Sequence, residues 1–290
     1  MLGIITWAWQ IHSKSTVHEM GKYKPIEKYV KSVYEISTDI SIWKSILDKV
    51  VEGYRNEDFI ARELFSSIFT IYDVDRISGN GWLKVYQDRS IQITTKNIDE
   101  QKASFFRWII NSSILRIYNS LEILLQEVII DEYLNQKTTN FGKRQISLVR
   151  SEINQCFKIN NFGKPDTKNN RHLIRYLKFK SSAVTEFIQK PVRIDLKSNW
   201  EALFELISIL RNVIAHNGMM IEKDTLNQIK QSAKDIFERY FKDETKIEDL
   251  VLLDPRQEQV LNFIKLINEC GINLVKFVKN EDNLEFCSFR

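Results

Sequence analysis

The sequence predicts a mainly α-helical fold, on three observations. The chain has 290 residues but only 9 Gly and 4 Pro, so few residues interrupt long elements. Apolar residues recur at three- and four-residue spacing through several long segments, as they do on one face of a helix. Alternating, strand-like patterns are confined to one short region, which predicts a small hairpin beside the helices.

Residues 1–98 are predicted to form an N-terminal accessory region. Apolar residues between Ile26 and Ile40 have helical spacing, which predicts a first helix over 25–51. A second helix is predicted over 56–69. The apolar stretch at 1–9 has no basic segment and no small-residue cleavage site, so it does not fit a signal peptide. No apolar run reaches the length of a membrane span.

A small hairpin or meander is predicted at the end of this region. Gly79-Asn80-Gly81 is a strong tight-turn signal, and it lies between the apolar runs at 68–72 and 82–86. Residues 90–95 alternate between apolar and polar like a further strand. These residues therefore separate the first helices from the rest of the chain.

Residues 99–290 are predicted to form one helical domain around a long central helix over 99–137. This segment has two apolar stripes, one through Tyr118 and Glu122 and one through Ile110 and Leu121. A helix that is apolar on two sides is packed by neighbours on both. Two further helices are predicted at 222–242 and 256–279, the latter capped by Asp254-Pro255.

A basic insertion is predicted at about 140–195, with helices at 143–158 and 169–189. From 143 to 193, twelve Lys and Arg stand against three Asp and Glu, a local charge of +9 in a chain of +4. Such a stripe attracts a phosphate backbone, although a solvated helical face explains it equally well. The residues selected for RNA contact are Lys143, Arg144, Arg171, Arg175 and Lys178.

The helix that follows the insertion carries the candidate catalytic residues. Ser198 to Glu201 fits a capping box that starts this helix, and Arg211 ends its apolar, inward stripe. A cation is costly there unless it meets an anion. On a continuing helix His216 would lie about 140° from Arg211. Asn217-Gly218 is a stop signal, so we expect the helix to end near 215 and His216 to fold back toward Arg211.

The chemistry of these residues suits cleavage of a phosphodiester without a metal. The Arg211 guanidinium is a planar, charged fork that fits phosphate oxygens, and the His216 imidazole exchanges a proton near neutral pH. The alternatives are a capping role for His216 and an ion pair between Arg211 and Glu122. Asn212 and Asn217 are candidates for hydrogen bonds to RNA, or caps.

Two segments resemble the HEPN superfamily. The first is Leu-Arg-Asn-x-x-Ala-His-Asn-Gly at 210–218, which resembles the family's Arg-x(4–6)-His signature, and the second is Tyr-Asn-Ser-Leu-Glu at 118–122. The resemblance covers roughly 99–245. It implies a HEPN-like helical bundle and a metal-independent endoribonuclease that leaves a 2′,3′-cyclic phosphate. It assigns catalytic roles to Arg211 and His216, with Asn212 and Glu122 beside them.

The resemblance also implies the protein's partners. One Arg–His pair per chain implies a homodimer, and the family implies a toxin or anti-phage effector that acts on RNA by abortive infection. An antitoxin or another defence protein is then a partner. The alternative is a HEPN module that binds nucleotide, RNA or protein and cleaves nothing. A third interpretation is a plain helical nucleic-acid-binding protein.

Several other chemistries lack their motifs. The sequence has no Cys-x-x-Cys, no His-x-x-x-His and no close acidic cluster, so we expect no built-in metal site. A P-loop, a dinucleotide fingerprint and Gly-x-Ser-x-Gly are absent as well, and we expect no cofactor. Three widely spaced Cys fit a reducing cytoplasm better than a disulfide framework.

Overall fold

The computed structural model describes 23–55, 64–74, 83–94, 96–134, 142–163, 170–241, 244–247 and 249–281. Within these residues the protein is mainly helical, with two small antiparallel sheets, which confirms the predicted fold class. The apolar stretch at the start of the chain and the tight turn at 79–81 lie outside the described residues.

Helices α1 (Lys24–Arg55) and α2 (Ile98–Tyr133) form an antiparallel pair. Lys28 Nζ lies 2.7 Å from Glu127 Oε1 near one end of the pair, and Lys102 Nζ lies 2.5 Å from Asp48 Oδ1 near the other. Buried apolar residues of α1 join the same core as those of α2. The first helix, assigned above to an accessory region, is thus part of the main core.

A two-stranded antiparallel hairpin connects these helices. It consists of β1 (Leu64–Val74) and β2 (Leu83–Ile93), and Leu64 pairs with Ile93. The helix predicted over 56–69 is therefore wrong from Leu64 onward. Ser90 belongs to β2 and starts no third strand.

The basic insertion consists of three helices, α3 (Lys143–Ile159), α4 (Asn170–Lys180) and α5 (Ser182–Gln189). The single helix predicted over 169–189 is wrong, because the chain is extended at Ser181. The Ser181 hydroxyl accepts a hydrogen bond from Val184 N at 3.3 Å and so caps a new helix. Both α3 and α4 contact α2.

Helix α6 (Trp200–Asn217) begins one residue later than the predicted capping box requires. Its N-cap is Asn199, whose side chain accepts from Ala202 N at 3.0 Å. Ser198 instead donates to the carboxylate of Asp235 in α7 (Lys223–Tyr240). This contact ties the start of α6 to a helix that is distant in sequence.

A three-stranded sheet and a last helix complete the fold. Strands β3 (Met220–Glu222), β4 (Glu244–Ile247) and β5 (Leu250–Leu253) are ordered β3-β5-β4. The N-cap position of helix α8 (Gln257–Lys279) is Arg256, two residues after the predicted Asp254, and its backbone N–H donates to Gln259 Oε1 at 2.7 Å. Because β3 begins three residues after α6 ends, its pairing with β5 fixes the direction in which the chain leaves α6.

Candidate active site

Arg211 lies where the last turns of α6 approach α2. Its Cζ is 5.7 Å from the centroid of the Tyr118 ring, and its Nη1 donates to Asn212 Oδ1 at 3.1 Å. Tyr118 is 2% exposed, so the ring is a fixed apolar surface beneath a half-buried guanidinium. No carboxylate among the described residues lies within ion-pair distance of Arg211. Its charge is thus placed to meet an anion from outside.

An ion pair between Arg211 and Glu122 was one alternative from the sequence, and it is not among the ion pairs of the described residues. Glu122 lies one turn beyond Tyr118 on α2 and is half-buried. Its Oε1 accepts from Gln126 Nε2 at 3.3 Å. Among the described contacts, Arg211 of α6 meets α2 at the Tyr118 ring.

His216 lies in the last turn of α6 and is exposed. The expectation that the helix ends near 215 is wrong, because it continues through Asn217. His216 therefore does not fold back. It lies five positions after Arg211 on the helix, a rotation of about 140° and a rise of about 7.5 Å. One chain consequently presents the two side chains on different faces of α6.

Gly218 ends α6 with a backbone that favours glycine. Its φ is 63° and its ψ is −133°, and its N–H donates to Ile214 O at 3.2 Å. A Cβ at this position would lie 3.5 Å from Asn111 Nδ2 of α2. The end of the Arg–His segment is thus in contact with α2.

Asn111 is a site residue that the sequence analysis missed. It precedes Tyr118 by seven residues, so the two lie on the same face of α2. Its Oδ1 is buried, and no hydrogen-bond partner for it lies within the described part of the chain. A helical wheel through Tyr118 would have found it.

The other two candidate asparagines are exposed near the end of α6. Asn212 precedes His216 by four residues and shares its face, while its amide oxygen holds Arg211. Asn217 is the last helical residue. Asn212 therefore lies between the two groups of the Arg–His pair.

Most cations of α4 have ion-pair partners within the chain. Arg171 pairs with Glu205, and Lys178 Nζ lies 2.7 Å from Glu201 Oε1, both carboxylates being on α6. Arg175 donates to Phe162 O at 3.2 Å, and its Cζ lies 4.6 Å from the Phe162 ring centroid. Two of the residues selected for RNA contact thus attach the insertion to α6, and the third joins α4 to the residues after α3.

The cations of α3 differ from those of α4. Lys143, Arg150 and Lys158 are exposed and recur at seven- and eight-residue spacing, so they form one stripe, with Arg144 beside it. No ion pair joins these four to a described carboxylate. The residues between them on the outer face are Ser147, Ser151, Asn154 and Gln155. We call these eight residues the α3 outer face.

The described residues contain no group of three or more His, Cys, Asp or Glu placed to hold a metal ion. Within the same residues, no helix is long and apolar enough to cross a bilayer.

Comparisons with known proteins gave no match to a family model, to a curated protein or to a solved structure. The resemblance therefore rests on the two sequence segments. The fold brings these segments together, since Tyr118 of one lies under Arg211 of the other.

Proposed function

We propose that the protein is a metal-independent endoribonuclease of the HEPN type. The observation that supports this most is the Arg211 guanidinium, which rests on Tyr118 with no described carboxylate beside it. The exposed imidazole of His216 follows five residues later at the same helix end. A cation ready for phosphate and a group that transfers protons are the two components that this cleavage requires.

The proposed reaction is attack of a ribose 2′-hydroxyl on the adjacent phosphorus. His216 removes the 2′-hydroxyl proton as the 2′-oxygen forms its bond to phosphorus. The bond from phosphorus to the 5′-oxygen breaks, and that oxygen takes a proton from a second acid. The products are a 2′,3′-cyclic phosphate and a 5′-hydroxyl. Arg211 holds the non-bridging oxygens and stabilises the charge that develops on them.

The geometry of α6 favours a site shared by two copies of the chain. With Arg211 and His216 about 140° apart, one helix cannot easily present both to one phosphate. A two-fold axis at the end of α6 would bring Arg211 of one copy to His216 of the other. It would also supply two imidazoles, one as base and one as acid.

The α3 outer face is the proposed path for the RNA backbone. Its three aligned cations are separated by about 10 and about 12 Å along the helix. A polyphosphate gains most from cations that have no partner within the protein, because paired ones must first break an ion pair. We therefore favour Lys143, Arg150 and Lys158 over the cations of α4 for binding RNA.

The proposed biological setting comes from the resemblance. A HEPN ribonuclease of this kind acts in the cytoplasm as a toxin or an anti-phage effector. Its partners would be RNA, a second copy of itself, and an antitoxin or defence protein that controls it.

A non-catalytic HEPN module is the second candidate function. The observation that favours it is the separation of Arg211 and His216 on one helix, because a chain that stays monomeric would have half a site. Such a module would bind RNA or nucleotide through Arg211 and the α3 outer face and leave it intact.

Incubation of the purified full chain with total RNA in EDTA tests the proposal. The wild type should cleave, and the fragments should end in 2′,3′-cyclic phosphate by mass spectrometry. His216→Asn keeps a polar side chain but transfers no proton near neutral pH, so cleavage should fall at least 100-fold, about the lower range for acid–base catalysis. Arg211→Lys keeps the charge and loses the fork, so cleavage should fall less than with Arg211→Ala.

Binding and folding serve as controls for that experiment. Circular dichroism should be the same for all variants, and His216→Asn should still bind RNA. Full cleavage by His216→Asn would disprove the assignment. RNA binding by a wild type that never cleaves would select the non-catalytic module.

A further inference from the structure

One flank of the α1–α2 pair is apolar and exposed. On α1, Trp43, Ile46 and Val50 are 46%, 42% and 47% exposed. On α2, Phe105 and Trp108 are 41% and 61% exposed, and their rings stack with centroids 5.5 Å apart. Ile42 lies beside them on α1. We call these six residues the α1–α2 patch.

The two halves of the patch lie on the same flank. Asp39, Trp43, Ile46 and Val50 step by four, three and four residues, so they form one stripe of α1. Phe105, Trp108, Ser112 and Arg116 step by three, four and four and form one stripe of α2. Arg116 Nη1 lies 2.5 Å from Asp39 Oδ2, which joins the two stripes at one end.

The patch is adjacent to the candidate active site. Trp108 precedes Asn111 by three residues on α2, and Asn111 contacts the position of Gly218 at the end of α6. A surface that covers Trp108 therefore borders the helix end that presents His216.

The size and composition of the patch favour a protein partner. Scaled by the exposed fractions, its side chains leave about 600 Å² accessible, against about 800 Å² per partner in a standard interface. Three of the six residues are aliphatic and offer no ring for stacking nucleic-acid bases. At its border, the guanidinium of Arg116 is already paired with Asp39.

We infer that the α1–α2 patch docks a second copy of this chain. The inference rests on the proposed function, because a shared site needs two copies joined close to Asn111 and His216. In an isologous contact the patch meets itself, so Trp108 and Ile46 of each copy bury the matching residues of the other. The contact between the two patches thereby holds Arg211 of each copy close to His216 of the other.

Sedimentation equilibrium of the full chain and two variants tests this inference. The wild type should sediment at twice the 34.3 kDa chain mass at micromolar concentration. Ile46→Asp and Trp108→Asp each put a charge into the docked surface, and each should raise the dimer dissociation constant at least 10-fold. Ile159→Asp is the matched control, since Ile159 is 70% exposed on α3, and it should dimerise like the wild type.

The outcomes separate this inference from the proposed function. If both patch variants disrupt the dimer and neither the wild type nor any variant cleaves RNA, the docking surface is supported and the ribonuclease is rejected. A cleaving monomer would do the reverse. The docking inference also fails if both patch variants dimerise as tightly as Ile159→Asp. It fails equally if a monomeric wild type shows fluorescence quenching by RNA that Trp108→Phe abolishes, which would assign the patch to base stacking.

Discussion

Two sets of three cations in the basic insertion are expected to differ in their effect on RNA binding. The first variant replaces Lys143, Arg150 and Lys158 of the α3 outer face with Ala. The second replaces Arg171, Arg175 and Lys178 with Ala. Both remove three positive charges, so any effect of net charge alone is the same in the two proteins. The difference lies in the partners, because the cations of α4 already contact Glu205, Phe162 and Glu201.

The magnitude follows from counterion release. Each phosphate neutralised on a single strand contributes about 0.7 to the slope of log affinity against log salt, so losing three contacts should flatten the slope by about 2. Between 50 and 200 mM salt, that change corresponds to roughly a 15-fold smaller loss of affinity. The α4 variant should change the slope by less than about 0.7. It should also lower stability, because two carboxylates of α6 lose their partners.

The assay is fluorescence anisotropy of a labelled single-stranded RNA at four or more salt concentrations. The buffer contains EDTA, and both variants carry His216→Asn so that the RNA stays intact. Equal flattening by the two variants would show that only net charge matters. A larger effect from the α4 variant would place the RNA path on α4 and refute the argument from ion pairing.

Two further predictions concern stability. Burial raises the pKa of Asp235. Hydrogen bonds from Ser198 and from the Lys197 backbone lower this pKa by more than burial raises it, so the pKa lies below its ordinary value. A carboxylate with a lowered folded pKa stabilises the fold above its unfolded pKa of about 3.9 and loses that effect as pH falls through the folded value. Asp235→Asn should therefore cost about 1–2 kcal/mol at pH 7 in urea unfolding, and this cost should shrink as the pH falls below about 4. A cost that stays constant as the pH is lowered through the acid range would contradict this reasoning. In Gly271→Ala the new Cβ would lie 2.8 Å from Tyr29 Cε1, and Tyr29 is buried and bonded to Ile267 O, so thermal unfolding should show a loss of about 1–3 kcal/mol. An unchanged melting temperature would mean that the Tyr29 ring moves freely.

Elements with a long apolar period were predictable. The first and central helices were placed within a few residues, because stripes such as Ile110–Ile114–Ile117 repeat over many turns and are fully buried. Short elements were not predictable. Strands of three and four residues, such as Met220–Glu222, are too short to show an alternation of apolar and polar residues in the sequence. The break at Ser181 depends on one hydroxyl, a signal that serine gives at many other places.

The site was predictable where it depends on helix faces and not where it depends on helix ends. Arg211 meets α2 because it ends the inward apolar stripe of α6, which is where the sequence analysis placed it. The predicted position of His216 was wrong because α6 runs two residues further than its expected end. On a helix that turns 100° per residue, the imidazole then lies on a different face from Arg211. Ser198 was assigned to a local cap, but it bonds Asp235, which is distant in sequence.

The central position of α2 has a consequence for synthesis of the chain. Its buried side chains contact α1 and α3, which are made close to it in time, and also α6 and α8, which are made much later. At about 5–20 residues per second, the interval between Tyr133 and the end of α8 lasts on the order of ten seconds. During that interval the helices that later bury the stripe from Ile110 to Ile130 are not yet complete. The nascent chain therefore presents a chaperone with a helix-length apolar surface, and truncation before α8 should yield aggregates instead of a smaller folded protein.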